Sequence, residues 1–339
     1  MSGVALLATM LIGVWLRWTL AGIFVLTLPF AHVRHAHSHL GYFGLLFPLA
    51  WLGWRAAGAP ILGRKSRWTY SACTVLGCIG FTLNGYGPVA IAASTVVAVF
   101  WLISAWPLLA RMRTLFDPLG AVPLGTVLSL ACVPPIALNL RTHPALAMGF
   151  VSTFLCALLF LVILPSTLAG RHIEAPWPLL LLFGGLGALF LGVAPHPVAR
   201  VGLLAYGGLL VAPILSERLA LHVRWAWAVV AGGLGAMAIG VVPNVRPVAL
   251  GAIHFVILGP VLASLAPVWL RNPPAPWAWW FGHALWGTMS AALVLQAFVP
   301  APWTWTVAAL GGTMTLFWWS LVLWSQRESS RPSEVQLSG

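Results

Sequence analysis

Acidic side chains are nearly missing from this sequence. Among its 339 residues there are five, Asp117, Glu174, Glu217, Glu328 and Glu334, and none lies deep in a long apolar run. No chain of carboxylates can therefore be drawn through the molecule, which counts against a proton pump or a proton-coupled carrier. Cysteine is scarce too: Cys73, Cys78, Cys132 and Cys156 fall inside apolar runs without metal-type spacing, so they read as small packing residues, with no disulfide framework or zinc site. Charge of either sign makes up only 6% of the chain, while 60% is hydrophobic and the mean hydropathy is +0.96. A soluble domain with those values would be covered in apolar surface, so lipid must be the solvent. The charge that remains is basic, +12 in all, and it is spread singly through short loops, which argues against nucleic acid as a partner.

Long apolar runs are what the sequence has instead. They are about 20 residues each and do not alternate, which selects membrane-spanning helices over a closed barrel. The opening segment lacks a basic start and runs too long for a cleavable signal, so it reads as a retained first span. Breaks at polar, Pro-rich and Arg-bearing stretches give spans near 4–30, 36–55, 68–87, 88–110, 118–139, 145–169, 177–195, 198–216, 224–243, 247–269, 277–299 and 303–325. The expected fold is thus an all-α polytopic bundle of about twelve transmembrane helices. It forms a single unit over 1–325, and residues 326–339 are expected to be a disordered cytoplasmic tail.

Charge fixes the expected orientation. With the amino terminus inside, twelve Lys and Arg residues fall in inner loops and the tail, and four (Arg34, Arg141, Arg200 and Arg246) fall outside, with Arg17 left within a span. That bias places both termini in the cytoplasm of a cell inner membrane. Trp277, Trp279, Trp280, Trp303 and Trp305 lie at expected span ends, where indoles anchor a helix to the interface.

The histidines carry the chemistry. Seven of ten fall on the outer side, four of them in HVRHAHSHL, residues 32–40. On a helix His35 and His39 share a face, as do His32 and His35, whereas His37 points elsewhere. Two kinds of site are open: a transition-metal site on the shared face, and an axial haem ligand at the isolated ring. An interfacial polar cluster that only hydrates the helix end is the plain alternative. A haem iron in a bundle takes imidazoles from two facing helices, and His254, in GAIHFVILGPVLASLAPVW, lies at a depth similar to His37 with small residues around it. His283 is intramembrane near the inner face, a candidate ligand for something else or part of a proton or substrate path. Arg17, expected in mid-span, calls for an anionic or strongly polar partner, and Arg246 at the outer end suits a haem propionate.

AHSHLGYFGLLFP resembles the second helix of the catalytic subunits of haem-copper oxidases and nitric oxide reductases, where an Ala-His pair stands eleven residues before a proline, as His37 and Pro48 do. IHFVILGPVLASLAPVW similarly resembles that family's tenth helix. The resemblance implies a twelve-helix core with both ends inside and haem b held by His37 and His254, with Arg17 near it. Two departures matter. Ala252 stands where the oxidases place a further haem-binding histidine, and the sixth and seventh spans lack the residues of the copper centre. The chain therefore looks more like reduced oxidase-related membrane proteins, including those associated with nitric oxide response.

Two functions follow as expectations. The first is an oxidase-like membrane haem protein for electron transfer or diatomic-gas chemistry, an oxidoreductase if an enzyme, with a redox partner or associated membrane subunit. Copper would be a further cofactor, with His35, His39 and His283 as candidate metal ligands beside His37 and His254. The second is a copper, zinc or nickel transporter or metallochaperone that gathers its metal at the outer histidine cluster.

Overall fold

The computed structural model describes residues 2–60, 62–113, 116–139, 142–168, 197–243 and 245–328. All regular structure in these residues is helical. Eleven rods follow in order: α1 (Ser2–Leu20), α2 (30–56), α3 (Arg64–Asn84), α4 (Pro88–Ala105), α5 (118–139), α6 (144–168), α7 (Pro197–Leu215), α8 (Leu221–Ala238), α9 (246–269), α10 (Pro276–Leu295) and α11 (Pro302–Glu328). The expected span at 177–195 lies outside the described residues. Six stretches are long and apolar enough to cross a bilayer: Gly3–Leu20, Pro88–Arg113, Pro118–Ile136, Gly149–Leu168, Arg246–Trp269 and Pro302–Gln326. The chain is a multi-pass helical membrane protein.

Two expected boundaries move. The first helix stops at Leu20 rather than near residue 30, because Gly22 turns the chain with φ +76° and Pro29 precedes the next helix. Arg17 consequently sits in the last turn of α1, where a cation complements the helix dipole, and not in mid-span. At the far end α11 continues to Glu328, and Gln326 exchanges two hydrogen bonds with the backbone of Asn272, so the helix enters the segment expected as tail.

Three rods contain a widened π turn, at Leu40–Leu46, Ala157–Ile163 and Ile257–Val261. Each lies at a proline: Pro48 and Pro165 follow within two residues, and Pro260 is inside. Proline cannot donate to the carbonyl four residues back, and its ring presses on that carbonyl; opening the turn relieves both without breaking the helix.

α1 packs between α2 and α11, α10 packs between α11 and α9, and α3 lines the other side of α2. In lipid the hydrophobic effect gives little help between helices, so close backbone approach at small residues matters more. A Cβ on Gly251 of α9 would lie 2.7 Å from the backbone oxygen of Ser290 of α10, and one on Gly80 of α3 would lie 2.9 Å from the backbone nitrogen of Ala90 of α4. These contacts hold α9 against α10, and α3 against α4, at a spacing no larger residue permits.

Candidate functional site: two histidine pairs

The four histidines at the start of α2 part to different sides. His32 lies against the α3–α4 turn, where a Cβ on Gly85 would come within 2.8 Å of its Nε2. The ring of His35 meets Tyr86 edge-on at 4.6 Å and is hydrogen-bonded to its hydroxyl. His39 is buried over Gly77 of α3, between Phe43 and Phe81, with the Ser94 hydroxyl 3.3 Å from Nδ1. All three face α3 and α4. Only His37 turns the other way, toward α1 and α9, as its offset of two residues from His35 and His39 requires. Among the described residues, no three His, Cys, Asp or Glu side chains gather as a metal group would.

His37 meets His254. Their ring centroids are 6.2 Å apart and the planes are inclined by only 15°. Each lies about 10–12 Å along its helix from the end expected to be outer, seven residues after Phe30 and eight after Arg246 at 1.5 Å per residue. Both rings are oriented by a carbonyl: Nδ1 of His37 donates to Thr9 at 2.9 Å, and Nδ1 of His254 donates to Leu250 at 2.6 Å. A carbonyl can only accept. The proton of each neutral ring is therefore on Nδ1, and both Nε2 atoms keep their lone pairs, the state of a histidine oriented to bind a metal.

The space beside this pair is made by Gly13, which reading the sequence did not single out. A Cβ there would lie 2.8 Å from the His37 ring and 3.0 Å from an Nη of Arg17. A glycine one turn before the buried arginine on α1 was the available signal. Arg17 is only 7% exposed, and its Nε has no hydrogen-bond partner among the described residues. The single ion pair in those residues joins Arg111 to Asp117, so no carboxylate answers Arg17. Arg246, in the first turn of α9, is exposed and close enough to Arg34 for the two cations to repel. Asn244 and Arg141, expected near the same end, lie outside the described residues.

A second pair lies farther along the bundle, toward the side expected to be inner. His222 near the start of α8 and His283 on α10 have ring centroids 5.7 Å apart, and both are buried. His222 escaped the sequence reading. Matched depth could not have joined these two, because His222 is the second residue of α8 and His283 the eighth of α10. Indoles enclose them: Trp279 lies nearly parallel to His222, and Trp225, Trp280 and Trp286 each lie within 6.0 Å of His283. Trp279 and Trp286 are fully buried, so the interfacial role expected for the tryptophans fits Trp277, Trp280 and Trp303, which are exposed, but not Trp279.

Compared with family models, with curated proteins and with solved structures, the chain finds no match. The class that the fold defines is a multi-pass helical membrane protein, and its helices bring histidines together in two pairs. Any narrower reading has to come from the residues.

Proposed function

We propose that this protein binds haem b between His37 and His254 and serves electron transfer in a cell inner membrane, with twelve spans and both termini cytoplasmic. The observation that carries the reading is the spacing and tautomer of those two rings. Two imidazoles that share one iron at roughly 2 Å per bond have ring centres about 6 Å apart, and their planes lie freely parallel along the common axis. The observed 6.2 Å and 15° match that arrangement; an offset stack can show the same spacing, and it is the two free Nε2 lone pairs that favour a shared iron. Both Nε2 lone pairs are available, and Arg17 offers an unanswered positive charge beside them for a propionate, with Arg34 and Arg246 at the outer rim.

A haem would supply one-electron chemistry when bound, and with His37 and His254 both holding its iron it would favour electron transfer over gas binding. The chain's own part is to hold the rings through Thr9 and Leu250, to leave room through Gly13, and to balance charge through Arg17. The carrier of metal ions kept as the second expectation draws less support, because His32, His35 and His39 each engage a different part of α3 and α4. A redox partner on either face belongs to the same proposal.

The test is an oxidised and dithionite-reduced absorption spectrum of protein purified from haem-supplied cells, beside His37→Ala and His254→Ala. The reading expects a Soret band with sharp reduced bands in the wild type, shifted or lost in each variant. A wild type without the band, or variants that keep it unchanged, overturns the reading. Labelling of single cysteines placed in each loop tests the twelve-span topology.

A further inference from the structure

The inner pair differs from the outer pair in one chemical respect. The indole of Trp286 donates to Nδ1 of His283 across 3.0 Å. Indole nitrogen can only donate, so Nδ1 of His283 must hold a lone pair, and the ring's proton is on Nε2. That Nε2–H is buried, on a residue only 2% exposed, and has no acceptor among the described residues. Leaving it so is unfavourable, because a buried donor without an acceptor keeps its full desolvation penalty. A metal is the wrong complement, because an Nε2 that already carries the proton has no lone pair to give and Trp286 prevents the proton from moving to Nδ1. What the site lacks is an acceptor oxygen.

The walls say which kind. Trp279 and Trp286 close one side, while Trp225 and Trp280 stand at 44% and 38% exposure, edge to face with ring centroids 5.4 Å apart. A ligand reaching His283 from the lipid of a membrane has to part these two indoles. It must be soluble in the bilayer, flat enough to lie against aromatic faces, and equipped with a carbonyl. A lipid ester has the carbonyl without the flat ring.

We propose that His222, His283 and the surrounding tryptophans form a binding site for the head group of a membrane quinone, with a quinone carbonyl accepting from Nε2–H of His283. The packing of α9 supports a site of this kind. A Cβ on Gly259 would lie 3.1 Å from Nε1 of Trp286, so this glycine leaves the indole free to orient His283. Gly259 is five residues beyond His254 on the same helix, about 8 Å along the axis, so the two pairs are close neighbours in depth. The proposal does not rest on haem and stands or falls without it.

The experiment titrates ubiquinone-1, a short-tailed benzoquinone, into the full-length protein in lipid nanodiscs and follows quenching of tryptophan fluorescence. Saturable quenching is expected in the wild type and in Trp303→Phe, whose indole lies outside the site. In His283→Leu the saturable part should disappear, and in Trp286→Phe, where the ring is free to change tautomer, affinity should fall several-fold. Carbonyl-labelled ubiquinone-1 should show a downshifted infrared stretch with wild type, and this reading decides the matter even where His283→Leu does not fold. Quenching that rises linearly and equally in all variants, with no downshifted band, overturns the proposal. So does stoichiometric binding of Cu²⁺ or Zn²⁺ by wild type that His283→Leu abolishes.

Discussion

Trp286 gives its indole proton to Nδ1 of His283, whereas Nδ1 of His37 and of His254 each gives a proton to a carbonyl. The partner of one ring nitrogen thereby sets the chemistry of the other. The outer pair presents lone pairs and the inner pair presents at least one N–H, although all four side chains are imidazoles in apolar surroundings. This contrast separates a metal-binding reading from a hydrogen-bonding one more sharply than histidine count or position does.

Gly13→Ala tests the outer site at its narrowest point. The added methyl meets the His37 ring at 2.8 Å and Arg17 at 3.0 Å, closer than carbon atoms sit, so the rings must shift. Overpacking of this kind costs about 1–3 kcal/mol. Thermal unfolding should show that loss, with a displaced or weakened Soret band. Gly207→Ala, where no atom lies within 4 Å of the new methyl, should change neither.

Arg17→Leu should move stability in opposite directions in the two forms of the protein. Without haem, removing a buried cation that has no carboxylate partner among the described residues relieves a desolvation cost and raises the melting temperature. With haem, the same change removes a propionate partner and weakens retention about 10-fold or more, as loss of a charge-assisted contact does. Melting curves of the haem-free and haem-loaded protein would show it. A rise, or a fall, in both forms would count against a propionate contact.

His35→Ala and His39→Ala separate the two readings of the outer cluster. If the function runs through His37 and His254, the iron-to-protein ratio and the spectrum stay at the wild-type level in both variants. A cluster that gathers metal would instead lose copper, zinc or nickel stoichiometry, measurable by elemental analysis.

Tyr86 links the α3–α4 turn to His35. Burial holds its phenol above the usual range, and Arg34 offsets part of the rise. For an acid whose folded pKa is raised, the stabilising contribution is present below the unfolded value, about 10, and is lost as pH climbs past it. Tyr86→Phe should therefore cost about 1 kcal/mol near pH 7, from the lost hydrogen bond, and flatten the fall in stability above about pH 10. Melting temperatures from pH 7 to 11 give the comparison.

Helix positions along the chain were largely legible, because an apolar run of span length admits few other folds in lipid. Helix ends were less so. Residues 21–29 are apolar enough to extend the first span, yet Gly22 and Pro29 end it, which moves Arg17 from mid-span to the last turn. The opposed faces of His37 and its neighbours followed from helical geometry alone. The partnership of His222 with His283 was missed because each stands alone in its own stretch of sequence.

By itself, then, the sequence determined that this chain folds as apolar helices suited to a membrane and that His37 faces away from His35 and His39, since burial in hydrocarbon and 3.6-residue periodicity act locally. Tertiary structure decided which rings meet and which nitrogen of each stays free. Those depend on the atoms that neighbouring helices bring up: the Thr9 carbonyl against one ring, and, once α10 is wound, the Trp286 indole against another. A linear string of residues does not state such contacts, because they arise only where helices distant in sequence, or successive turns of one helix, fix a side chain's orientation.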